Sequence, residues 1–315
     1  MTNAAPIVTQ TAYQKEVFWR DDLRMFFLSW SRRARKSTTF SHWSLRSNME
    51  NPGNLNVFVS CNLTAGAELL LKEKTTYDEV LKKEVQMWRA AADSMRAAAE
   101  ESGTRLETTA DGLREDDLDG MMDLFDHNRF ETRIWHDRTT YSRTLVIAAN
   151  PLRAVGYGGN LFLDEVTRTP NMKELMEAVM PFIASNPSMF CRMAGTPPPD
   201  DSHYSYELTA PPDGEFPISA TGNWYTSRMG MKVHRVTVDD MYAAGIPQYS
   251  ITDGRKITPD EAREESFDRV GWDRNFRLKY IAGGSASYSI ASITAAQRRG
   301  KGFCLANHVG EEIFL

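Results

Sequence analysis

Cysteine is scarce in this chain, and long apolar runs are missing. The three cysteines among 315 residues, Cys61, Cys191 and Cys304, are far apart and form neither a CxxC motif nor a cluster with histidine. This spacing excludes the common structural zinc sites and predicts reduced thiols, with Cys61 and Cys191 inside apolar strands. No apolar run is long enough to cross a bilayer, and no signal-peptide core follows residues 1–6. We therefore expect a cytosolic protein with neither zinc nor a membrane anchor.

Positive charge is also in short supply. Lysine and arginine together number 37, against 42 aspartates and glutamates, which gives a formal net charge of -5. A chain with this balance has no overall basic field, so any contact with nucleic acid must come from a local patch. With 41% hydrophobic and 25% charged residues, the composition is that of an ordinary globular protein. One large domain, or a core domain with a smaller appendage, fits this length.

Strand-like and helix-like segments alternate along the first part of the chain. Apolar runs at 23–28 and 55–61 predict strands, and helices are predicted at 64–74 and 77–101. The last of these segments is rich in alanine and contains neither glycine nor proline. This alternation is typical of an α/β fold with a central, mostly parallel sheet flanked by helices. In such folds ligands bind at the carboxyl ends of the strands.

Two adjacent carboxylates, Asp164 and Glu165, follow a short apolar strand at 159–163, and a helix is predicted at 172–184. One carboxylate at a strand end can hold Mg²⁺ while its neighbour deprotonates an attacking water, as the hydrolysis of a nucleoside triphosphate requires. An apolar run followed by Asp-Glu also arises by chance, so this interpretation needs a phosphate-binding partner elsewhere in the chain.

The loop after the first strand supplies a candidate partner. Residues 31–38, SRRARKST, lie between a strand and an amphipathic segment. This layout, with Lys36 before Ser37, is that of a phosphate-binding loop, in which backbone and lysine hold phosphates and the hydroxyl holds Mg²⁺. The pattern GxxxxGK[ST] has glycine where this chain has Trp30 and Arg35. A basic surface loop, or a phosphate patch for nucleic acid, is the alternative interpretation.

Two further segments allow both a functional and a structural interpretation. Gln14 lies in a helix-compatible segment near the start of the chain. Its amide can form hydrogen bonds with an adenine, or the residue can belong to a helix that caps the edge of the sheet. Gly195-Thr196-Pro197 follows a strand predicted at 189–194. A threonine at that position can sense a phosphate, although a plain turn has the same composition.

The order and spacing of these motifs resemble the ATPase domain of viral large terminase subunits, the motors that drive double-stranded DNA into procapsids. The resemblance covers about residues 13–290 and includes the segments ANPLRAVGYGGNLFLDE and VHRVTVDDMYAAGI. It implies a P-loop NTPase of the additional-strand type with a catalytic glutamate, and it implies ATP and Mg²⁺ as ligands. In that family the phosphate loop reads SRR or SRQ, a variable residue and then GK[ST]. Arg35 is therefore the departure that matters, and Trp30 is not.

The resemblance also implies a role for each matching residue. Lys36 would hold the outer phosphates, and Glu165 would be the catalytic base. Ser37 and Asp164 would hold the Mg²⁺, and Arg32 or Arg33 would meet the γ-phosphate. Gly195, Thr196 and Pro197 would couple hydrolysis to movement. The implied ATP-binding residues are Gln14 beside the adenine, and Ser31, Arg32, Arg33, Ala34, Arg35, Lys36, Ser37 and Thr38 around the triphosphate.

The same resemblance implies the partners of a packaging motor. These are double-stranded DNA gripped without regard to sequence, the portal protein of the procapsid, the small terminase subunit and a ring of five copies. The expected location is the cytoplasm of the host bacterium, with transient attachment at the portal. Residues 1–201 would form the ATPase core, 202–282 a lid or linker subdomain and 283–315 a linker. We expect a motor without its own cutting site, because the nuclease domain usual in the family would begin where these 315 residues stop.

Two other functions fit the same residues. The first is a helicase-like ATPase that acts on nucleic acid without a capsid and shares every motif named above. The second is a non-catalytic homologue in which Arg35 impairs the phosphate loop, leaving a structural or DNA-binding subunit. Measured ATP turnover separates the second function from the others, and activity in the absence of a portal ring separates the first.

Overall fold

The computed structural model describes residues 8–61, 63–102, 125–150 and 157–281, together with the isolated positions 296, 297 and 300. Apart from those three positions, the linker predicted at 283–315 lies outside the described residues.

The part of the chain that the structure describes contains eight helices and eleven strands. The helices are α1 (Ala12–Phe18), α2 (Lys36–Glu50), α3 (Leu63–Ser102), α4 (Met172–Ala184), α5 (Tyr204–Thr209), α6 (Val238–Ala243), α7 (Pro259–Glu264) and α8 (Arg269–Phe276). The strands are β1 (Met25–Trp30), β2 (Leu55–Ser60), β3 (Phe125–His127), β4 (Glu131–Trp135), β5 (Tyr141–Ala148), β6 (Asn160–Asp164), β7 (Cys191–Gly195), β8 (Asn223–Thr226), β9 (Lys232–Val236), β10 (Gln248–Tyr249) and β11 (Lys256–Ile257). A 3₁₀ turn, Val166–Arg168, follows β6.

Nine of these strands form one sheet in the order β3-β4-β5-β2-β6-β7-β1-β9-β8. Neighbouring strands from β5 to β9 in this order are parallel, and the pairs at the two edges are antiparallel. The prediction of an α/β fold with a mostly parallel sheet is confirmed. β7 lies between β1, which leads into the predicted phosphate loop, and β6, which ends in Asp164 of the acid pair. An extra strand at this position is what distinguishes the additional-strand type of P-loop NTPase.

The central strands β1, β2, β6 and β7 are buried on both faces, as their continuous apolar runs require. In β1, Phe27 belongs to the core on one face, and Phe26 and Leu28 belong to the core on the other. Helix α4 packs on the first face, whereas α1, α2 and α3 pack on the second. The residues buried on the first face include Leu175 and Val179 of α4, and those buried on the second face include Tyr13, Phe40 and Leu69 of the other three helices. This packing fixes α2 against β1 and therefore fixes the loop that joins them.

Helix α3 is longer than either helix predicted for its segment. The helices expected at 64–74 and 77–101 are one continuous helix of 40 residues. The two predicted helices were separated at Thr75 and Thr76, but each of these hydroxyls donates to the carbonyl four residues earlier, at 2.9 Å. This local bonding keeps both threonines inside the helix without interrupting it.

Two strand boundaries also differ from the predicted ones. β1 begins at Met25 rather than at residue 23, and it continues to Trp30, where it still pairs with β9. β2 ends at Ser60, so Cys61 lies beyond the strand and is exposed, and the prediction of a core position for this thiol is wrong. Cys191 is buried in β7, as predicted. In the described ranges, no helix combines the length and apolarity needed to cross a membrane.

The segment predicted as a separate lid, 202–282, contains two strands of the main sheet. β9 pairs in parallel with β1, and β8 pairs with β9 at the sheet edge. The parts of this segment that follow the sheet are α6, α7, α8 and the small hairpin formed by β10 and β11. The domain limits 1–201 and 202–282 stay predictions.

A buried carboxylate connects α2 and α3 to the sheet. Glu73 of α3 is fully buried, and its pKa is raised to about 7 because desolvation of the charge outweighs its hydrogen bonds. The cluster holds α2 and α3 together at the sheet. The donors to the carboxylate are Ser44 (3.1 Å), Asn48 (3.4 Å), Thr144 (3.0 Å) and Thr132 (3.0 Å).

Because of this raised pKa, Glu73 makes the protein less stable as the pH increases. Between its ordinary pKa of 4.5 and the folded value of about 7, the folded state binds more protons than the unfolded state and loses stability with rising pH. We expect Glu73→Gln to remove this loss. Between pH 4.5 and pH 8, the free energy of unfolding of the variant would rise relative to the parent by on the order of 3 kcal/mol.

Urea unfolding of parent and variant at the two pH values measures this difference. Glu177→Gln, at an exposed position in the second turn of α4, removes a surface carboxyl and is the control. A change between the two pH values that is no larger for Glu73→Gln than for this control would show that Glu73 does not titrate in this range.

Candidate functional site

Backbone hydrogen bonds and the buried Trp30 hold the loop between β1 and α2. Trp30, at the first glycine position of the phosphate-loop pattern, is fully buried, and its indole donates to His234 Nδ1 (3.0 Å). The side chain thus anchors the end of β1 in the core and takes no space beside the loop. Three backbone hydrogen bonds hold the loop. The N–H of Ser31 donates to the carbonyl of Val236 (2.8 Å), that of Arg32 to the carbonyl of Asn275 (3.1 Å) and that of Ala34 to the carbonyl of Ser31 (3.2 Å).

Two arginines of the loop have backbone conformations that glycine usually adopts. Arg33 has a φ of 63° and Arg35 a φ of 62°, both in the left-handed region. At Arg35 this is a conformation that the glycine of the GxxxxGK[ST] pattern adopts without steric cost. The Arg35 side chain is exposed. The residue therefore strains the backbone but does not fill the loop.

Glycine at position 35 removes this strain. We expect Arg35→Gly to have a free energy of unfolding about 1 kcal/mol higher than Arg35→Ala, because both variants lose the charge and only alanine keeps a Cβ in the left-handed region. Thermal or urea unfolding of the two variants measures the difference. Arg274→Gly and Arg274→Ala, inside α8, are the controls. Here the glycine variant is expected to be the less stable of the two, since glycine weakens a helix interior. Equal stability of the two variants at position 35 would contradict the strained conformation.

The side chain of Lys36 turns back over the loop and reaches the acid pair. Its Nζ donates to the carbonyl oxygens of Trp30 (3.1 Å) and Ser31 (3.3 Å), and it lies 3.5 Å from Glu165 Oε1. Arg168 lies 3.6 Å from the other carboxylate oxygen of Glu165. Glu165 itself has a φ of 50°, again in the left-handed region. The two sequence motifs, distant in the chain, therefore meet through an ion pair.

Ser37 and Asp164 form the second contact between the motifs. Ser37 Oγ donates to Asp164 Oδ2 (3.1 Å), and Asp164 Oδ1 accepts from the backbone of Glu165 (3.1 Å). Burial raises the pKa of Asp164, the charge of Glu165 adds to the rise, and Lys36 opposes it. A buried carboxylate beside a hydroxyl suits Mg²⁺, which takes oxygen ligands and completes its shell with phosphate and water. In the described ranges, no three or more His, Cys, Asp or Glu side chains form a group that could hold a metal ion by themselves.

A cavity of about 490 Å³ opens beside the loop. Among the described residues that line it, Glu165 is the one acid and six residues are cationic, and this surplus of positive charge suits a polyanion such as a triphosphate. Two of the six were not predicted from the sequence. Lys72 comes from α3 and carries no local signal, whereas the position of Arg168, three residues after Glu165, could have indicated it. The cationic residues are Arg32, Arg33, Arg35, Lys36, Lys72 and Arg168, and Ala34, Ser37 and Thr38 complete the wall.

Gln14 does not line this cavity. Its Oε1 accepts from the backbone and the hydroxyl of Thr11, both at 3.0 Å, and its Nε2 donates to Thr39 Oγ1 (2.9 Å). Gln14 is 1% exposed. The amide therefore caps α1 and ties it to α2. The predicted contact with adenine would require these bonds to break.

The predicted coupling motif begins at the end of β7, between the two predicted nucleotide motifs. A Cβ added to Gly195 would come within 2.8 Å of Thr167 Oγ1, in the turn that follows Glu165. Glycine therefore lets β7 pass close to this turn. Thr196 is 3% exposed, and Pro197 is buried behind it.

Asn275 of α8 joins this motif to the phosphate loop, and sequence reasoning missed it. Its Oδ1 accepts from Thr196 Oγ1 (3.4 Å), and its backbone oxygen accepts from the N–H of Arg32 (3.1 Å). Its Nδ2 donates to the carbonyl of Gly271, which fixes the orientation of the amide. No local pattern marks an asparagine in a C-terminal helix as a neighbour of a loop at the start of the chain.

Comparison with known proteins finds similarity in structure alone. No protein-family model matches this chain, and no curated protein matches it in sequence. The large terminase ATPase domain of Thermus phage P74-26 matches with a TM-score of 0.54 and 10% identity, over 87% of this chain and 94% of that one. A mutant of the same domain gives the same TM-score, with 95% of its chain covered. The large terminase of another thermophilic bacteriophage matches with a TM-score of 0.50 and 12% identity, over 87% of this chain and 54% of that one.

The strand order and the placement of the two motifs are those of a P-loop NTPase fold of the additional-strand type. Within that class, the chain has the fold of the ATPase domain of phage large terminases, as the motifs predict. At 10 to 12% identity, the similarity concerns the fold, and the roles of individual residues remain predictions.

Proposed function

We propose that this chain is an ATP-hydrolysing motor of viral DNA packaging, which drives double-stranded DNA into a procapsid. The observation that carries the proposal is the meeting of Lys36 and Ser37 with Asp164 and Glu165 at one cationic cavity. The fold shared with phage terminase ATPase domains favours DNA packaging over other uses of ATP.

The hydrolysis step follows from the contacts of the acid pair. On binding ATP, Lys36 exchanges the loop carbonyls and Glu165 for the outer phosphate oxygens, which frees the carboxylate. Glu165 then accepts the proton of the water that attacks the γ-phosphate. Arg32 or Arg33, both exposed at the cavity wall, stabilises the charge that develops on the transferred phosphoryl group. Ser37 and Asp164 would hold Mg²⁺, whose charge neutralises the phosphate oxygens.

Movement is coupled to this step through Asn275. A phosphate that takes the N–H of Arg32 removes one of the contacts that hold α8 at the loop. Arg277, just after α8, pairs with Asp239 of α6 (3.1 Å) and with Asp260 of α7 (2.5 Å). These ion pairs make α6, α7 and α8 move together, as a lid whose position depends on the nucleotide.

The partners of the motor follow from the same proposal. The chain grips the backbone of double-stranded DNA without regard to sequence, acts at the portal protein of the procapsid and receives DNA from the small terminase subunit. It works as a ring of five copies. Its location is the cytoplasm of the host bacterium, with transient attachment at the portal.

Mg²⁺-dependent ATP hydrolysis by the purified chain tests the proposal. We expect turnover that double-stranded DNA increases, and DNA translocation that requires a procapsid with its portal. Translocation without a portal would favour the helicase-like alternative. ATP binding without turnover would favour the non-catalytic homologue, and the absence of both binding and turnover would overturn the assignment to ATPases.

A further inference from the structure

A second cavity continues the phosphate cavity along the groove between α2 and α3. It has a volume of about 670 Å³, and it shares Thr38 and Lys72 with the phosphate cavity. Val8 also lines it, and His42 and Thr76 face it from the two helices. Because the cavities adjoin, a ligand held by its phosphates in the first can extend into the second.

His42 is a buried side chain of this groove with unused hydrogen-bonding capacity. It is 8% exposed, and its Nδ1 is buried without a partner among the described residues. Burial lowers the pKa of His42 to about 4, so the ring is neutral near pH 7 and carries one proton. A proton on Nδ1 would be a buried N–H without an acceptor, which costs more free energy than an unused lone pair. The proton is therefore placed on Nε2, at the tip of the ring. His42 therefore offers a donor to whatever occupies the groove.

The spacing along α2 fits a nucleotide. His42 lies six residues after Lys36, about 9 Å along the helix axis, and Thr38 lies one turn before it. An extended nucleotide covers a comparable distance from its outer phosphates to its base. The amide of Gln14, in contrast, is engaged at both ends by Thr11 and Thr39.

We propose, on the basis of the function proposed above, that the base of the bound nucleotide lies in the α2–α3 groove and that His42, rather than Gln14, donates the hydrogen bond that recognises it. The atom recognised is a ring nitrogen on the edge of the adenine, because adenine has no carbonyl oxygen. Gln14 acts as a positioning residue, because it holds the first turn of α2 through Thr39.

Two ligands separate recognition of the base from binding of the phosphates. They are a non-hydrolysable ATP analogue and inorganic tripolyphosphate, each titrated with Mg²⁺ into the full chain by calorimetry. We expect His42→Ala to weaken binding of the analogue about tenfold, as for the loss of one hydrogen bond and its packing, and to leave tripolyphosphate binding unchanged. His42→Gln keeps an N–H donor and is expected to recover most of the loss. His127→Ala, at an exposed position of β3 outside the groove, makes the same substitution elsewhere, so it is the matched control and is expected to change neither affinity.

The outcomes distinguish this inference from the function on which it rests. If His42→Ala weakens both ligands equally, or weakens neither, the role of His42 is wrong and the phosphate site stands. If Lys36→Met weakens neither ligand, the proposed function is wrong and this inference with it.

Carbethoxylation of His42 in the parent protein, read by peptide mass spectrometry, avoids any folding defect of a variant. The analogue is expected to protect His42, and tripolyphosphate is not. Protection by both ligands, or by neither, would contradict the placement of the base in the groove.

Discussion

Glu165→Gln is expected to lower the rate of ATP hydrolysis by about 10² to 10⁴ fold, the range for loss of a general base. Glutamine keeps the shape of the side chain but cannot take the proton of the attacking water. ATP binding is expected to be retained, because the variant removes an anion from a cavity that has six cationic lining residues. Steady-state ATP hydrolysis and equilibrium ATP binding, measured side by side, check both halves of this prediction.

Glu215→Gln, at an exposed position before β8, removes the same charge elsewhere and is expected to hydrolyse ATP at the parental rate. If Glu165→Gln also retains the parental rate, another group accepts the proton. If it loses ATP binding and turnover together, Glu165 is needed to shape the site through its contacts with Lys36 and Arg168 rather than for the chemical step.

Lys36→Met is expected to weaken ATP binding at least about 100-fold and to abolish measurable turnover. Each charge-assisted hydrogen bond from a lysine to a phosphate contributes about 1.5 to 3 kcal/mol, so the loss of two such bonds accounts for this factor. Methionine keeps an unbranched apolar stem at a position that is 6% exposed. Isothermal titration with a non-hydrolysable analogue measures the affinity.

The same substitution leaves the carbonyls of Trp30 and Ser31 without their donor. An unmet buried group costs about 1 to 3 kcal/mol, so the unfolding of Lys36→Met must be followed alongside its affinity. Lys72→Met is the matched control, because Lys72 lines the same cavity but is exposed on α3, and we expect it to weaken binding less than tenfold. A folded Lys36→Met variant that binds ATP as the parent does would contradict the assignment of the phosphate loop.

Much of the candidate site could be predicted because its chemistry is encoded in short segments. Lys36 and Ser37 stand next to each other at the start of a helix, and Asp164 and Glu165 stand next to each other at the end of a strand. Parallel strands deliver their carboxyl ends to one edge of a sheet, so two such segments are expected to meet there. The ion pair between Lys36 and Glu165 and the hydrogen bond between Ser37 and Asp164 are consistent with that expectation.

The glycine missing from the loop shows the limit of a sequence pattern. The pattern identifies Arg35 as a departure but cannot give its backbone angles. The chain adopts the left-handed conformation without glycine because α2 and β1 are packed on either side of the loop and fix its path. The cost of the strained residue is smaller than the cost of moving either element.

The residues that sequence reasoning missed come from elements distant in the chain. Lys72 depends on how α3 crosses α2, and Asn275 depends on the docking of α8 at the loop. Neither residue belongs to a local motif. The same reason explains why β8 and β9, assigned to a lid from their position after residue 202, belong to the main sheet.

The sequence by itself determined the α/β class and indicated the predicted phosphate loop and the acid pair, because each depends on residues that are neighbours in the chain. Only the tertiary structure decided the order of the strands, the engagement of Gln14 inside the protein and the groove that contains His42. These features arise from the packing of α1, α2 and α3 on one face of the sheet. Packing depends on contacts between side chains that are distant in the chain, and local sequence patterns do not reveal those contacts.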